Sequence, residues 1–220
     1  MNKGNHVSTT AGLPTWLLTV ITPERFHPYR VGASNFEDAL DLYRKNLLTT
    51  GALVRWVSFA EVAIRNAVCQ QFSYHFCEVE NIFDSLEPLL TKEGKETLKS
   101  ARKNLSKVGL EPTASRIVTE LPFGFWKYLF TSRYEATLWT PVLRHAFPKV
   151  PTQSRSLVAD AIQHIADLRN RLAHNEPVFM RNLNYDMTVI QSAIEWVSPE
   201  ARAWAKANIP DIFSPEVLKP

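Results

Sequence analysis

The sequence predicts an all-α fold. Apolar residues recur at helical spacing along most of the chain, capping residues precede several of those runs, and no stretch alternates apolar with polar residues as a half-buried strand would. Seven glycines leave little room for tight hairpins, and fourteen prolines punctuate the helices instead. At 220 residues with 45% hydrophobic content, the chain is long and apolar enough to bury a full core as one domain. The expected organisation is a loose N-terminal segment over residues 1–14, a helical domain over 15–208 and an irregular tail over 209–220.

Thr22-Pro23-Glu24 reads as an N-cap, a proline at the first helical position and an acid in the first turn. That helix should end near Pro28–Gly32. Ser34-Asn35-Phe36-Glu37 has capping-box spacing and opens a helix carrying Phe36, Leu40, Tyr43 and Leu47. A longer helix is expected from about Thr50 to Phe76, broken from or joined to its predecessor near Gly51. It is apolar almost all round, through Leu53, Val54, Trp56, Val57, Val62, Ile64, Val68 and Phe72, and so belongs inside a bundle. Glu61 falls on that apolar stripe and needs a partner to keep its charge; Arg65 is one turn away.

Thr91 to Lys107 reads as a lysine-rich helix stopped by Gly109, and its cations are best explained as a solvated face. Thr113 should cap a helix to about Leu121. The aromatic segment Leu121–Tyr128 could stack bases, but packing of a helix corner explains it better. Thr140-Pro141 is expected to start a short helix. Further helices are expected from about Thr152 to Ala173, from near Asn184 to Trp196, and after Ser198-Pro199-Glu200.

Net charge is +3, mildly basic and compatible with nucleic acid. Cys69 and Cys77 lie eight apart on one expected helix, too far to bridge, and no Cys–His set has zinc spacing, so no metal or other cofactor is expected. The apolar run Trp16–Ile21 is too short to span a membrane. A cytoplasmic protein is the natural expectation.

Chemistry concentrates in Leu168-Arg169-Asn170-Arg171-Leu172-Ala173-His174-Asn175-Glu176-Pro177. Val158, Ala161, Ile165, Leu168 and Leu172 share one helix face. Arg169 falls beside it and is expected to be partly buried, with Glu61 as its carboxylate partner. His174 follows five residues later, about 140° round a straight helix. Pro177 should end the helix near His174. Either the chain turns and brings the imidazole round, or a second copy supplies the matching group at a two-fold contact. Arginine grips phosphate oxygens in a planar fork, and histidine moves protons near neutral pH. Those groups suffice to cleave RNA by attack of its own 2′-OH on the adjacent phosphate. Asn170 and Asn175 are candidates to bind phosphate or fix the imidazole. The bland alternative is a helix-capping histidine and a structural ion pair.

The run Arg169-Asn170-Arg171-Leu172-Ala173-His174 resembles the Arg-X4–6-His motif of HEPN domains, and Asn175-Glu176-Pro177-Val178-Phe179 resembles its continuation in the Abi-like (abortive infection) branch. Three further segments are similar to that branch: Ile21–Phe26 with Tyr29, Ala39–Asn46 leading to Glu61–Asn66, and Leu121–Trp126. The resemblance implies a HEPN-type helical bundle with additional short helices, commonly a homodimer, and a metal-independent endoribonuclease acting in phage defence or as a toxin held by an antitoxin. Carried over, Arg169 and His174 are the catalytic pair, and Asn170, Arg171, Asn175 and Glu176 surround them as supporting or phosphate-binding residues. Glu61 and Arg65 are expected to orient the pair. Relatives often have a second histidine where this chain has Asn175, which removes one candidate acid. Some HEPN domains bind RNA or a protein partner without cutting. An enzyme should place Arg169 and His174 on one open cleft.

Overall fold

The computed structural model describes residues 14–213, so all but the last residue of the expected N-terminal segment and most of the C-terminal tail lie outside the described residues. Helices α1 (Thr15–Val20) and α2 (Pro23–Val31) lead into α3 (Phe36–Phe76). Then come α4 (Ile82–Leu86), α5 (Lys92–Lys107), α6 (Ala114–Glu120), α7 (Phe123–Tyr128), α8 (Arg155–Ala173), α9 (Leu183–Val197) and α10 (Pro199–Asn208). No strand occurs among the described residues, and the fold is all-α.

The two helices expected around Gly51 are one helix of 41 residues. Glycine in a helix interior costs about 1 kcal/mol relative to alanine. Burial of Ala52, Leu53, Trp56 and Val57 immediately beyond it outweighs that cost. Asn35 is the N-cap of α3: its Oδ1 accepts from the Asp38 N–H at 2.9 Å, and its Nδ2 donates to the Asp38 carboxylate. The N-cap is therefore one residue later than the capping-box spacing indicates, and Asp38 returns a bond to the Asn35 side chain. By length and composition α3 is apolar enough to cross a membrane, but here it is the central helix of the core, packed on α8 and α9. It is not apolar-in on every side, since Val54 and Val62 are exposed.

Phe123, Phe125 and Trp126 are all buried, so the aromatic segment is core. Exposing such rings for base stacking would forfeit roughly 1.5–3 kcal/mol each. The lysines of α5 point away from buried Leu98, Ala101 and Leu105, while Arg102 turns back to Asp84 and Glu87.

Two boundaries differ from expectation. No regular helix starts at Thr140-Pro141. A single π-helical turn, Glu135–Trp139, closes with the Thr140 N–H on the Glu135 carbonyl, and Val142 leaves helical geometry before the short turn Leu143–Ala146. Leu138, Trp139, Val142, Leu143 and Phe147 are all buried, so packing dictates this path. Helix α8 begins at Arg155, not Thr152, because Thr152 and Gln153 have left-handed backbones and Ser154 is the cap, its Oγ accepting from the Leu157 N–H. At the other end, Trp56 Nε1 donates to the Pro210 carbonyl and Ile212 is buried, so the start of the tail is pinned to the core.

A small apolar cluster of Leu17, Ile21, Phe26, Tyr29 and Ala39 forms beside the main core, with Tyr43 and Phe179 packed against it. The candidate site lies where this cluster meets α3 and the end of α8.

Candidate functional site

Helix α8 ends in a motif built by its own backbone. The Asn175 N–H bonds the Leu172 carbonyl at 3.1 Å and the Glu176 N–H bonds the Arg171 carbonyl at 3.0 Å, with Asn175 left-handed at φ 52°. This is a Schellman termination. Asparagine is one of the few non-glycine residues that adopts that backbone readily. Asn175 is thus accounted for by the helix end that presents His174.

Beyond it, Pro177 leads to Val178, which is fully buried. The Val178 N–H donates to Asn46 Oδ1 of α3 at 2.7 Å. Asp186, 1% exposed, holds the far end of the segment. It accepts two N–H bonds from Arg181, at 2.8 and 2.6 Å, and sits 2.7 Å from His164 Nε2 of α8. The pairing pushes the Arg181 guanidinium pKa up, chiefly through that carboxylate. The segment carrying His174, Asn175 and Glu176 is therefore fastened to α3 at one point and to α8 at another.

The expected partnership of Glu61 and Arg169 is present: Arg169 Nε lies 3.6 Å from Glu61 Oε1. That is too long for a hydrogen bond, so it is a charge contact. Glu61 Oε2 accepts from Arg65 Nη2 at 2.9 Å. The Glu61 side chain is 12% exposed, and burial pushes its carboxyl pKa up while Arg65 and Arg169 hold it down. The Arg169 side chain is half buried, 49% exposed, so it is less enclosed than an inward-directed arginine would be. Ile162, Ile165 and Leu172 beside it are buried, and the guanidinium snorkels past them to the rim.

His174 is exposed and opens onto a cavity of about 730 Å³. Arg169 opens onto another, of about 260 Å³, with Glu61, Val54 and Ser58. The expectation of one shared cleft is therefore not met within a single chain. The two cavities are neighbours, however. Tyr43, Asn46, Leu47 and Thr50 of α3 line the first, and Val54, Val57, Ser58 and Glu61, the next turns of the same face, line the second.

Of the surrounding set, Asn175 and Glu176 line the larger cavity, whereas Asn170 and Arg171 line neither. Arg171 pairs with Glu176 at 2.8 Å. Arg65 packs its guanidinium 5.8 Å from the Phe123 ring centre and supports Glu61 from below. Sequence reasoning assigned no role to Arg25, whose Nη1 donates to the His174 carbonyl at 3.3 Å, or to Asn46, although both fall in segments that carry the resemblance. Among the described residues no group of three or more His, Cys, Asp and Glu side chains is placed to hold a metal ion.

No family model, curated protein or solved structure matches the chain.

Proposed function

We propose that this chain is a cytoplasmic, metal-independent endoribonuclease of the Abi-like HEPN type. The observation that carries the reading is the alignment of two cavities along one face of α3, with His174 over one and Arg169 over the other. Five residues of α8 advance about 7.5 Å along its axis. A single strand of RNA laid along this face meets both groups.

In the proposed reaction, neutral His174 takes the proton of a ribose 2′-OH as that oxygen attacks the adjacent phosphorus. Arg169 stabilises the charge that builds on the phosphate oxygens. The bond to the 5′-oxygen breaks, leaving a 2′,3′-cyclic phosphate and, after protonation, a 5′-hydroxyl. Asn175 cannot supply that proton. A two-fold homodimer would answer this by placing two Arg–His sets around one cleft, so that the second copy's imidazole serves the leaving oxygen. Such an enzyme fits phage defence or a toxin restrained by an antitoxin.

A second reading is a non-catalytic module that binds RNA or a protein partner. It is favoured by the separation of Arg169 and His174 between two cavities. Expression of wild-type protein and of His174→Ala in growing cells separates the two. The enzyme reading expects arrested growth and fragmented RNA for the wild type alone; equal effects from both proteins remove it.

A further inference from the structure

The guanidinium that shares a cavity with His174 is Arg25, from α2, and not Arg169. Its Nη1 donates to the His174 backbone carbonyl at 3.3 Å, a bond between groups 149 residues apart that ties Arg25 to the end of α8. Asn46, 4% exposed, lines the same cavity. Its Oδ1 is committed to the Val178 N–H at 2.7 Å, which fixes the orientation of the amide. An amide so oriented turns its NH₂ away from Val178, and Asn46 lines the cavity. Tyr29 and Tyr43 form another wall, their rings edge to face at 5.1 Å between centres. Burial pushes the Tyr29 phenol up to about 12, so it stays protonated at physiological pH.

The charges on this cavity select among ligands. Glu24 also lines it, and bonds from its own backbone N–H and from Thr22 keep that carboxyl below its usual range. Glu176 lines it too, paired at 2.8 Å with Arg171, which stands outside the cavity. One arginine beside two carboxylates is a poor trap for a polyphosphate. It suits a ligand that brings a single phosphate to Arg25 and an otherwise neutral, hydrogen-bonding body to the amide and the phenols. At about 730 Å³ the space is in the range of small-molecule sites, roughly 300–1,000 Å³.

We propose that this cavity seats one nucleotide of single-stranded RNA beside the scissile linkage, its phosphate on Arg25 and an acceptor of its base or ribose on the Asn46 amide. The assignment rests on the ribonuclease reading for its choice of RNA, and makes Arg25 and Asn46 substrate-binding residues.

The test is binding of a short fluorescent single-stranded RNA with 2′-fluoro riboses, which lacks the attacking hydroxyl and is not cut. The full-length wild type should bind it, and pyrophosphate should not displace it. Arg25→Gln should weaken binding about tenfold, the loss expected of one charge-assisted phosphate bond. It should also reduce the salt slope by about 0.7, the share of one phosphate on a single strand. Asn46→Asp keeps an acceptor for Val178 and loses the amide donor, so it should fold and bind about tenfold more weakly. Lys99→Gln, on the solvated face of α5, should bind as wild type does. Wild-type binding by Arg25→Gln, displacement by pyrophosphate, or no binding by the wild type overturns the proposal. The two readings fail separately. Arg25-dependent binding without cleavage of natural RNA removes the nuclease and leaves this site, whereas His174-dependent cleavage that ignores Arg25→Gln does the reverse.

Discussion

Asn46 Oδ1 accepts the Val178 N–H at 2.7 Å, joining the N-terminal third of α3 to the segment that follows His174 across 132 residues of sequence. Val178 is fully buried and Asn46 nearly so, which makes this bond the local anchor of the candidate site. A buried N–H left without an acceptor costs about 1–3 kcal/mol. Asn46→Leu should therefore lower stability by about 2 kcal/mol, while Asn46→Asp should lose less because it retains an acceptor. Chemical denaturation of both variants checks the order; equal losses contradict it.

A second anchor is Asp186, which is buried and accepts from Arg181 and His164 together. Asp186→Ala leaves the Arg181 charge without its partner, and breaking such a pair from one side costs about 3–5 kcal/mol. Arg181 is partly exposed, so the lower end, about 3 kcal/mol, is expected. Thermal unfolding measures this. A midpoint unchanged from wild type would show that the segment is held elsewhere.

Glu61 gives a pH signature. Its carboxyl is raised from the ordinary value of 4.5, with burial the largest cause. A group that binds its proton more tightly in the fold favours folding most when protonated, below the ordinary value, and that contribution fades as pH rises through the raised one. Wild type should lose stability relative to Glu61→Gln as pH climbs from about 4.5 into the range above it. Denaturation midpoints of the two proteins across that window check the sign; a difference independent of pH, or growing in the opposite sense, contradicts it.

Much of this architecture was legible because local chemistry decides it. Thr91 and Ser198 cap the helices they precede, each hydroxyl accepting a backbone N–H, and Gly109 stops α5 with a left-handed backbone. The Glu61–Arg169 pairing was legible too, from a carboxylate and a guanidinium each set on an apolar helix flank. Gly51 was ambiguous because one unfavourable residue is a small term beside the packing around it. The path from Glu135 to Gln153 was illegible, since buried side chains and not caps set it. Arg25 and Asn46 were given no role for another reason. They reach His174 and Val178 from the other end of the chain, and no short-range pattern encodes that meeting. Asn175 did carry a readable signal: an asparagine just past a helix end is a candidate for a left-handed terminator.

Cleavage of single-stranded RNA by purified protein in the presence of a chelator tests the central claim most directly. Wild type should produce 2′,3′-cyclic phosphate and 5′-hydroxyl ends, and Arg169→Ala and His174→Ala should each be slower by about 100-fold or more while unfolding at the wild-type midpoint. Cleavage by both variants at the wild-type rate, or none by folded wild type, would contradict the account.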